Sequence, residues 1–341
     1  MNLDLKDRVK EIALELVSVQ SIVDTPGELD SSEKVYEILG RHEYFKKHPE
    51  NLYFVPVKND ALGRKLLVSI LNGEKPNCSK KTVVLIGHTD TVGISDYGNL
   101  QEYATKPYEL IEKFKEVNLP KDVKEDLESG EYLFGRGIFD MKSGDAAIIA
   151  IMEDIADHIE DFDGNIIYGA VCDEEGNSQG MLNFVPELTK LKKEKGYVYQ
   201  AVLDTDYMTV DYPGDPNKYV HIGTVGKIMP TFYIVGKETH VGEGFMGLDP
   251  NQVSSRIVDE VEFNPSYSEI VDGEVTLPPI VLKQRDLKTE YSCQTAKKSI
   301  LMFHYATMSE TPDVVLEKLK AAGQKCFEEV VDRLDGYYKH H

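Results

Sequence analysis

Residues 83–90 read Val-Val-Leu-Ile-Gly-His-Thr-Asp. Four successive apolar residues, three of them β-branched, predict a strand buried on both faces, the kind used in parallel sheets flanked by helices. The strand runs straight into His88 and Asp90. An imidazole at the mouth of such a strand can bind a cation, and a carboxylate two residues on can fix its tautomer from behind. The pair alone is a weak signal. It gains weight because further acidic motifs follow, each also at a strand-to-loop junction.

Working outward, amphipathic or apolar helices are expected over 3–19, 31–46, 145–157 and 179–194, and strands near 52–57, 65–71, 82–87, 165–172 and 201–203. Short helical pieces at 107–116 and 121–129 break up a long polar excursion. Strands alternating with helices imply an α/β layer, a mixed and mainly parallel sheet flanked by helices. The strand 165–172 delivers Asp173, Glu174 and Glu175, and Ala201-Val202-Leu203 delivers Asp204 and Asp206. The carboxyl edge of such a sheet is where ligands bind. The turn-rich stretch 211–218 predicts a domain boundary. Beyond it, strand 227–235, helix 250–261, strands 279–285 and 298–305 and helix 312–334 read as a ferredoxin-like split-βαβ unit. The expected organisation is a catalytic metal-binding domain over 1–214 and a second domain over 215–338.

Composition narrows the function. The chain has 341 residues, enough for two domains, with 41% hydrophobic and 28% charged residues. A formal net charge of -21 argues against nucleic acid and anionic membrane as partners. Cys78, Cys172, Cys293 and Cys326 form no Cys-x-x-Cys pair, which disfavours a zinc ribbon or redox motif. The first residues lack the apolar run of a signal peptide, and no stretch of about 18 apolar residues exists to span a bilayer. These features fit a reducing cytoplasm.

The junctions bring together one histidine, several carboxylates and no thiolate: His88 and Asp90, Asp140 in Gly-Ile-Phe-Asp-Met, Glu174 with Glu175, and Asp204 or Asp206. That donor set suits zinc, cobalt or manganese in a two-metal site. Adjacent glutamates point to opposite faces of a strand. At a strand's end the chain can turn, so that one binds metal and its neighbour stays free as a base. The bland reading of Asp173-Glu174-Glu175-Gly176-Asn177 is a solvated turn. Arg136 is expected to brace its own loop against an acidic neighbour.

Three segments in order, Gly87-His88-Thr89-Asp90-Thr91-Val92, Gly135-Arg136-Gly137-Ile138-Phe139-Asp140-Met141-Lys142-Ser143-Gly144, and Asp173-Glu174-Glu175 with Gly180 behind it, resemble the di-zinc metallopeptidase and deacylase family of acetylornithine deacetylase, succinyl-diaminopimelate desuccinylase, carboxypeptidase G and aminoacylase. Within it the chain looks closest to bacterial arginine-utilisation proteins. The resemblance implies that His88, Asp140, Glu175 and Asp206 are metal ligands, with Asp140 bridging two Zn2+ ions. Asp204 is an alternative to Asp206, and Tyr207 stands where the family usually has proline. Asp90 would orient His88, and Glu174 would be the general base. His240, in Lys237-Glu238-Thr239-His240 ahead of Asp249-Pro250-Asn251, resembles a lid histidine that stabilises the oxyanion in the partner subunit. The implied activity is amide hydrolysis of a peptide or N-acyl amino acid by a cytoplasmic homodimer paired through the lid domain.

One departure stands out. The family returns to its first domain after the lid and adds a final histidine ligand, a part with no counterpart here. His304, His340 and His341 are poor candidates for it. The Glu175 site is therefore expected to lack a partner, and at most about one tightly held metal per chain is expected. The rival reading is a truncated or non-catalytic homologue with an incomplete metal site that binds or dimerises.

Overall fold

The computed structural model describes residues 5–210 and 212–340. Residues 3 and 4 of the first expected helix, Asp211 in the expected boundary stretch and His341 lie outside them. The chain divides into two units, Met1–Pro216 and Asn217–His341. The first holds, in order, α1 (Lys6–Val17), α2 (Gly27–Gly40), α3 (Glu43–Lys47), β1 (Leu52–Pro56), β2 (Lys65–Asn72), β3 (Lys81–His88), α4 (Pro107–Phe114), α5 (Lys121–Ser129), α6 (Ser143–Ala156), β4 (Asn165–Val171), α7 (Gln179–Lys195) and β5 (Val198–Asp204).

The strands form one mixed sheet in the order β1-β2-β4-β3-β5. Parallel pairing is confined to β3 with β4 and β5, the part that bears the candidate site; β1–β2 and β2–β4 are antiparallel. Side chains alternate across the pleat. Leu67, Leu71, Leu85, Ile166 and Tyr168 face a core closed by α1, α2 and α6. Leu66, Val68, Ile70, Val84 and Ile167 face the other way, against Phe184 and Leu191 of α7. The strand β3 is thus sandwiched between helical layers, which is why its sequence is apolar without alternation.

The second unit contains β6 (Gly226–Ile228), β7 (Thr231–Val235), α8 (Pro250–Val261), β8 (Ile270–Val271), β9 (Glu274–Val275), β10 (Ile280–Asp286), β11 (Lys298–Thr307) and α9 (Pro312–His340). β11 is its central strand, antiparallel to β10, β6 and β7. Val253, Ile257 and Val261 of α8 meet Leu301, Phe303 and Tyr305 of β11 and Val315 and Leu319 of α9 in a single core. The strand expected over 227–235 is two strands, because Pro230 has no N–H to give to a ladder. The helix expected over 31–46 is α2 and α3. The hairpin β8–β9 was not expected, although its turn residues Asp272 (φ 53) and Gly273 (φ 91) are an Asp-Gly pair suited to a two-residue turn. No helix among the described residues is long and apolar enough to cross a membrane.

Candidate metal centre

Parallel pairing with β3 at the centre decides which residues meet. In the β3–β4 register His88 lies beside Val171, and in the β3–β5 register Ile86 lies beside Asp204. The residues that follow each strand therefore emerge along one edge. The helical turn Ile138–Lys142 at the start of α6 carries Asp140 to the same place. Close approach is possible because Gly87 and Gly144 lack side chains. A Cβ at Gly87 would sit 2.1 Å from Asp145 Oδ1, and one at Gly144 would sit 2.3 Å from the Thr205 carbonyl oxygen.

His88 is buried, and its Nε2 lies 2.9 Å from Asp140 Oδ1 and 4.0 Å from Asp206 Oδ2. The ligand atoms of His88, Asp140 and Asp206 all fall within 4.8 Å of one another. Donor atoms about 2.1 Å from a tetrahedral ion stand roughly 3.4 Å apart, so these residues fit a divalent cation with small adjustments. Of the two aspartates after β5, Asp206 belongs to this group. Asp204 instead accepts the Asp206 N–H at 3.1 Å, holding the loop that presents Asp206. Asp206→Asn is expected to weaken Zn2+ or Co2+ binding by more than about 100-fold, and Asp204→Asn by about 10- to 100-fold, the usual cost of losing an outer-shell partner. Competition titration with a metallochromic chelator checks the order; the reverse order would hand the site to Asp204.

Asp90 does not hold His88 in the way expected. The imidazole Nδ1 is 3.1 Å from the main-chain carbonyl of Asp90 and 3.8 Å from its carboxylate. The fully buried carboxylate instead accepts the N–H groups of Glu174 at 3.2 Å and Glu175 at 3.0 Å. Asp90 thus positions the glutamate pair directly and the histidine through its backbone. Glu174 Oε2 is 3.9 Å from His88 Nε2, and its side chain is about half exposed, at 51%. Glu175 is outside the His88–Asp140–Asp206 group.

The electrostatics are those of crowded acids. Burial, and then the charges of Asp90, Asp206 and Asp140, push the Glu174 carboxyl up, with His88 opposing. Burial, then Asp140, raises Glu175. Burial would lower His88, but Asp90, Asp145, Glu174 and Asp140 outweigh it and raise the imidazole. A cation placed among these groups would relieve their mutual repulsion.

Of the residues that support the site, Asp173, Lys142 and Arg136 stand in the motifs quoted from the sequence, and Arg64, Glu28 and Asp60 carry no sequence signal. Asp173, with φ 64, turns the chain so that both glutamates leave the strand. Its carboxylate accepts Arg64 Nη1 at 2.8 Å and the Gln179 N–H at 3.1 Å. Arg64 also donates to Glu28 at 3.0 Å and to Asp60 at 2.7 Å. The acidic trio Asp24, Glu28 and Asp173 is another arrangement of carboxylates close enough for a metal, but a guanidinium already fills it. Buried Lys142 donates to the carbonyls of Leu16 and Val19 at the end of α1, where a cation suits the helix dipole. Arg136 pairs with Asp96 and lies over the Tyr97 ring, a bracing role across two loops.

Behind the site, Asp145 is fully buried and accepts the Tyr168 hydroxyl at 2.6 Å. Burial pushes its carboxyl up to about 7. A carboxyl whose folded pKa exceeds its unfolded value holds its proton longer in the native state, so stability falls as pH rises from about 4 to 7. Asp145→Asn keeps an acceptor for Tyr168 and removes that ionisation. The variant is expected to lose a few kcal/mol less than the parent across that interval, read from urea midpoints at both ends. Equal slopes would show that Asp145 does not titrate there.

His240 caps the turn Val241–Met246, accepting the Gly242 N–H at Nδ1 over 3.1 Å. That bond leaves the proton of the neutral ring on Nε2. His304 lies in β11 and His340 at the end of α9, both in the second unit. The third histidine of that group, His341, is outside the described residues.

A model of the Peptidase family M20/M25/M40 matches residues 84–335, from the middle of β3 into α9. The chain belongs to this family. As an M20 protein it is 36% identical over 333 residues to Protein RocB of Bacillus subtilis, covering 98% of this chain and 58% of that protein. It is 38% identical over 336 residues to the uncharacterized protein YqjN of the same organism, covering 98% and 60%. The chain therefore spans about three-fifths of the length of these curated relatives. Among solved structures, the M20 family metallo-carboxypeptidase Sso-CP2 from Sulfolobus solfataricus shares the fold with a TM-score of 0.61 at 13% identity, over 94% of this chain and 76% of that one.

Proposed function

We propose that this M20 protein is a metal-dependent hydrolase of an amide bond in a peptide or N-acyl amino acid. The observation that carries the reading is the convergence of His88, Asp140 and Asp206 beside the half-exposed carboxylate of Glu174. A divalent ion held by those three residues would supply Lewis acidity to the scissile carbonyl. Glu174 takes a proton from the attacking water and returns it to the leaving amine. Asp90 fixes Glu174 and Glu175 from behind through their amides. Glu175 is assigned to a second ion, which Asp140 would share. His240, with its proton on Nε2, is assigned the hydrogen bond to the oxyanion in the active site of the partner subunit. The resemblance to arginine-utilisation proteins supports a substrate from amino-acid catabolism, and the composition is consistent with a cytoplasmic protein.

The second unit is assigned the lid and dimerisation role. Among the described residues β7 pairs with β11 alone, and it exposes Tyr233 and Val235. Pairing of two copies through this edge and α8 would make a homodimer, read by sedimentation. The test of the function is a metal titration and a hydrolysis panel of N-acyl amino acids and dipeptides. About one tight ion per chain and turnover that chelator abolishes are expected. Tight metal binding with no turnover on any member would favour the rival, a binding and dimerising homologue.

A further inference from the structure

Two aromatic rings stand beside the metal ligands, and the proposed chemistry gives neither a task. Phe139 immediately precedes Asp140, and Tyr207 immediately follows Asp206. Their ring centroids are 4.8 Å apart with planes inclined by 35°. Both are open to solvent, Phe139 at 59% and Tyr207 at 46% exposure. Large aromatic side chains normally contribute by burial, so a ring pair left open at this spot is unspent binding surface. Phe139 also borders a groove of about 740 Å³ that it shares with Tyr132, Leu133 and Ile138, so a group lying on the rings has room to extend.

The placement is fixed from both ends. Tyr207 donates its N–H to Asp206 Oδ1 at 2.7 Å, while Asp206 Oδ2 faces His88. Phe139 is tied by the adjacent backbone to Asp140, whose Oδ1 contacts the same imidazole. Each ring therefore keeps a set distance from the reacting centre, and each restricts the other's rotamers, so less side-chain freedom is lost when a ligand stacks on them. Aromatic faces carry negative potential and prefer a flat π-system or a cation above them.

We propose that Phe139 and Tyr207 form the shelf that selects the substrate's side chain, and that the side chain it takes is planar, a guanidinium or an aromatic ring. This rests on the hydrolase reading above and narrows its substrate class. The experiment uses the full chain loaded with Zn2+ and three probes, N-acetyl-arginine, N-acetyl-phenylalanine and N-acetyl-norleucine. The parent protein is expected to prefer a planar probe over norleucine by about tenfold in kcat/KM, mostly through KM. Phe139→Leu and Tyr207→Leu should bring that ratio close to one, while Phe139→Tyr and Tyr207→Phe preserve it. The arginine and phenylalanine arms separate a cationic from a neutral planar group.

Ring-current shifts on the probes' side-chain protons provide a readout independent of turnover, expected for the planar probes, reduced in each leucine variant and lost when both rings are replaced. Shifts without hydrolysis would uphold the shelf and overturn the hydrolase reading. Hydrolysis with no planar preference, or leucine variants that depress all three probes equally, would overturn the shelf and leave the hydrolase reading standing. Neither shifts nor hydrolysis would overturn both.

Discussion

Glu174→Gln is expected to cut kcat by about 10²- to 10⁴-fold, the usual contribution of a positioned general base, with a much smaller change in metal affinity, since the Glu174 carboxylate is outside the ligand group and at 3.9 Å makes no hydrogen bond to His88. The substitution preserves size and keeps the backbone N–H that Asp90 receives. It removes only the carboxylate's capacity to hold a proton. The split between the two readouts is what matters. Glu174 stands 3.9 Å from His88 Nε2, close enough to serve a water at the metal yet outside the tight donor group. Glu175→Gln should behave differently, weakening binding of a second ion before it affects the first. Steady-state kinetics with a competition titration of Zn2+ separate these outcomes. Retained turnover in Glu174→Gln would remove Glu174 from the base role, and lost metal would make it a ligand instead.

The parts of this site that were legible in the sequence are those encoded next to a strand. His88, Asp173 to Glu175 and Asp204 to Asp206 each follow an apolar run, and a strand's end can be read from composition alone. Parallel alignment then brings them together whatever the loops do. The residues that sequence reading passed over act across the fold. Arg64 precedes β2 in an unremarkable Leu-Gly-Arg-Lys stretch, and its partners Glu28 and Asp173 lie 36 and 109 positions away. No local spacing announces such a pairing. Lys142 stands inside a motif, but its role depends on α1 ending over it, 123 residues away. The split of β6 from β7 at Pro230 and the Asp272-Gly273 turn were different, since both carried a local signal that reading by apolar run alone did not weigh.

Arg64→Met is expected to destabilise the first unit by about 3–5 kcal/mol, the cost of leaving buried charges without their partner. Arg64 is 7% exposed at its side chain, while Glu28 and Asp173 are at 0% and Asp60 at 4%. Burial alone would depress the guanidinium's pKa, and the hydrogen bonds Arg64 donates to Asp60 and Glu28 more than reverse it. Burial raises the Glu28 carboxyl, Asp90 adds to the rise, and Arg64 opposes both. Without the guanidinium, three carboxylates would face one another in a low-dielectric space, and some would have to take up protons. The damage should also reach the metal centre. Glu28 accepts the Asp173 N–H at 2.8 Å, and Asp173 begins the turn that presents Glu174 and Glu175. Loss of Arg64 therefore loosens the glutamate pair from below, even though the arginine touches neither glutamate in any hydrogen bond described here. Arg64→Lys keeps the charge but cannot fork toward Asp60, Glu28 and Asp173 together, so it should recover only part of the stability. Urea unfolding followed by circular dichroism measures the order parent, lysine, methionine. Because lower pH protonates the stranded carboxyls, the gap between parent and methionine variant should narrow as the solution is acidified toward pH 4. A gap below about 1 kcal/mol at neutral pH, typical of exposed pairs, would mean that water reaches this cluster and that the guanidinium is not what holds the glutamate turn in place.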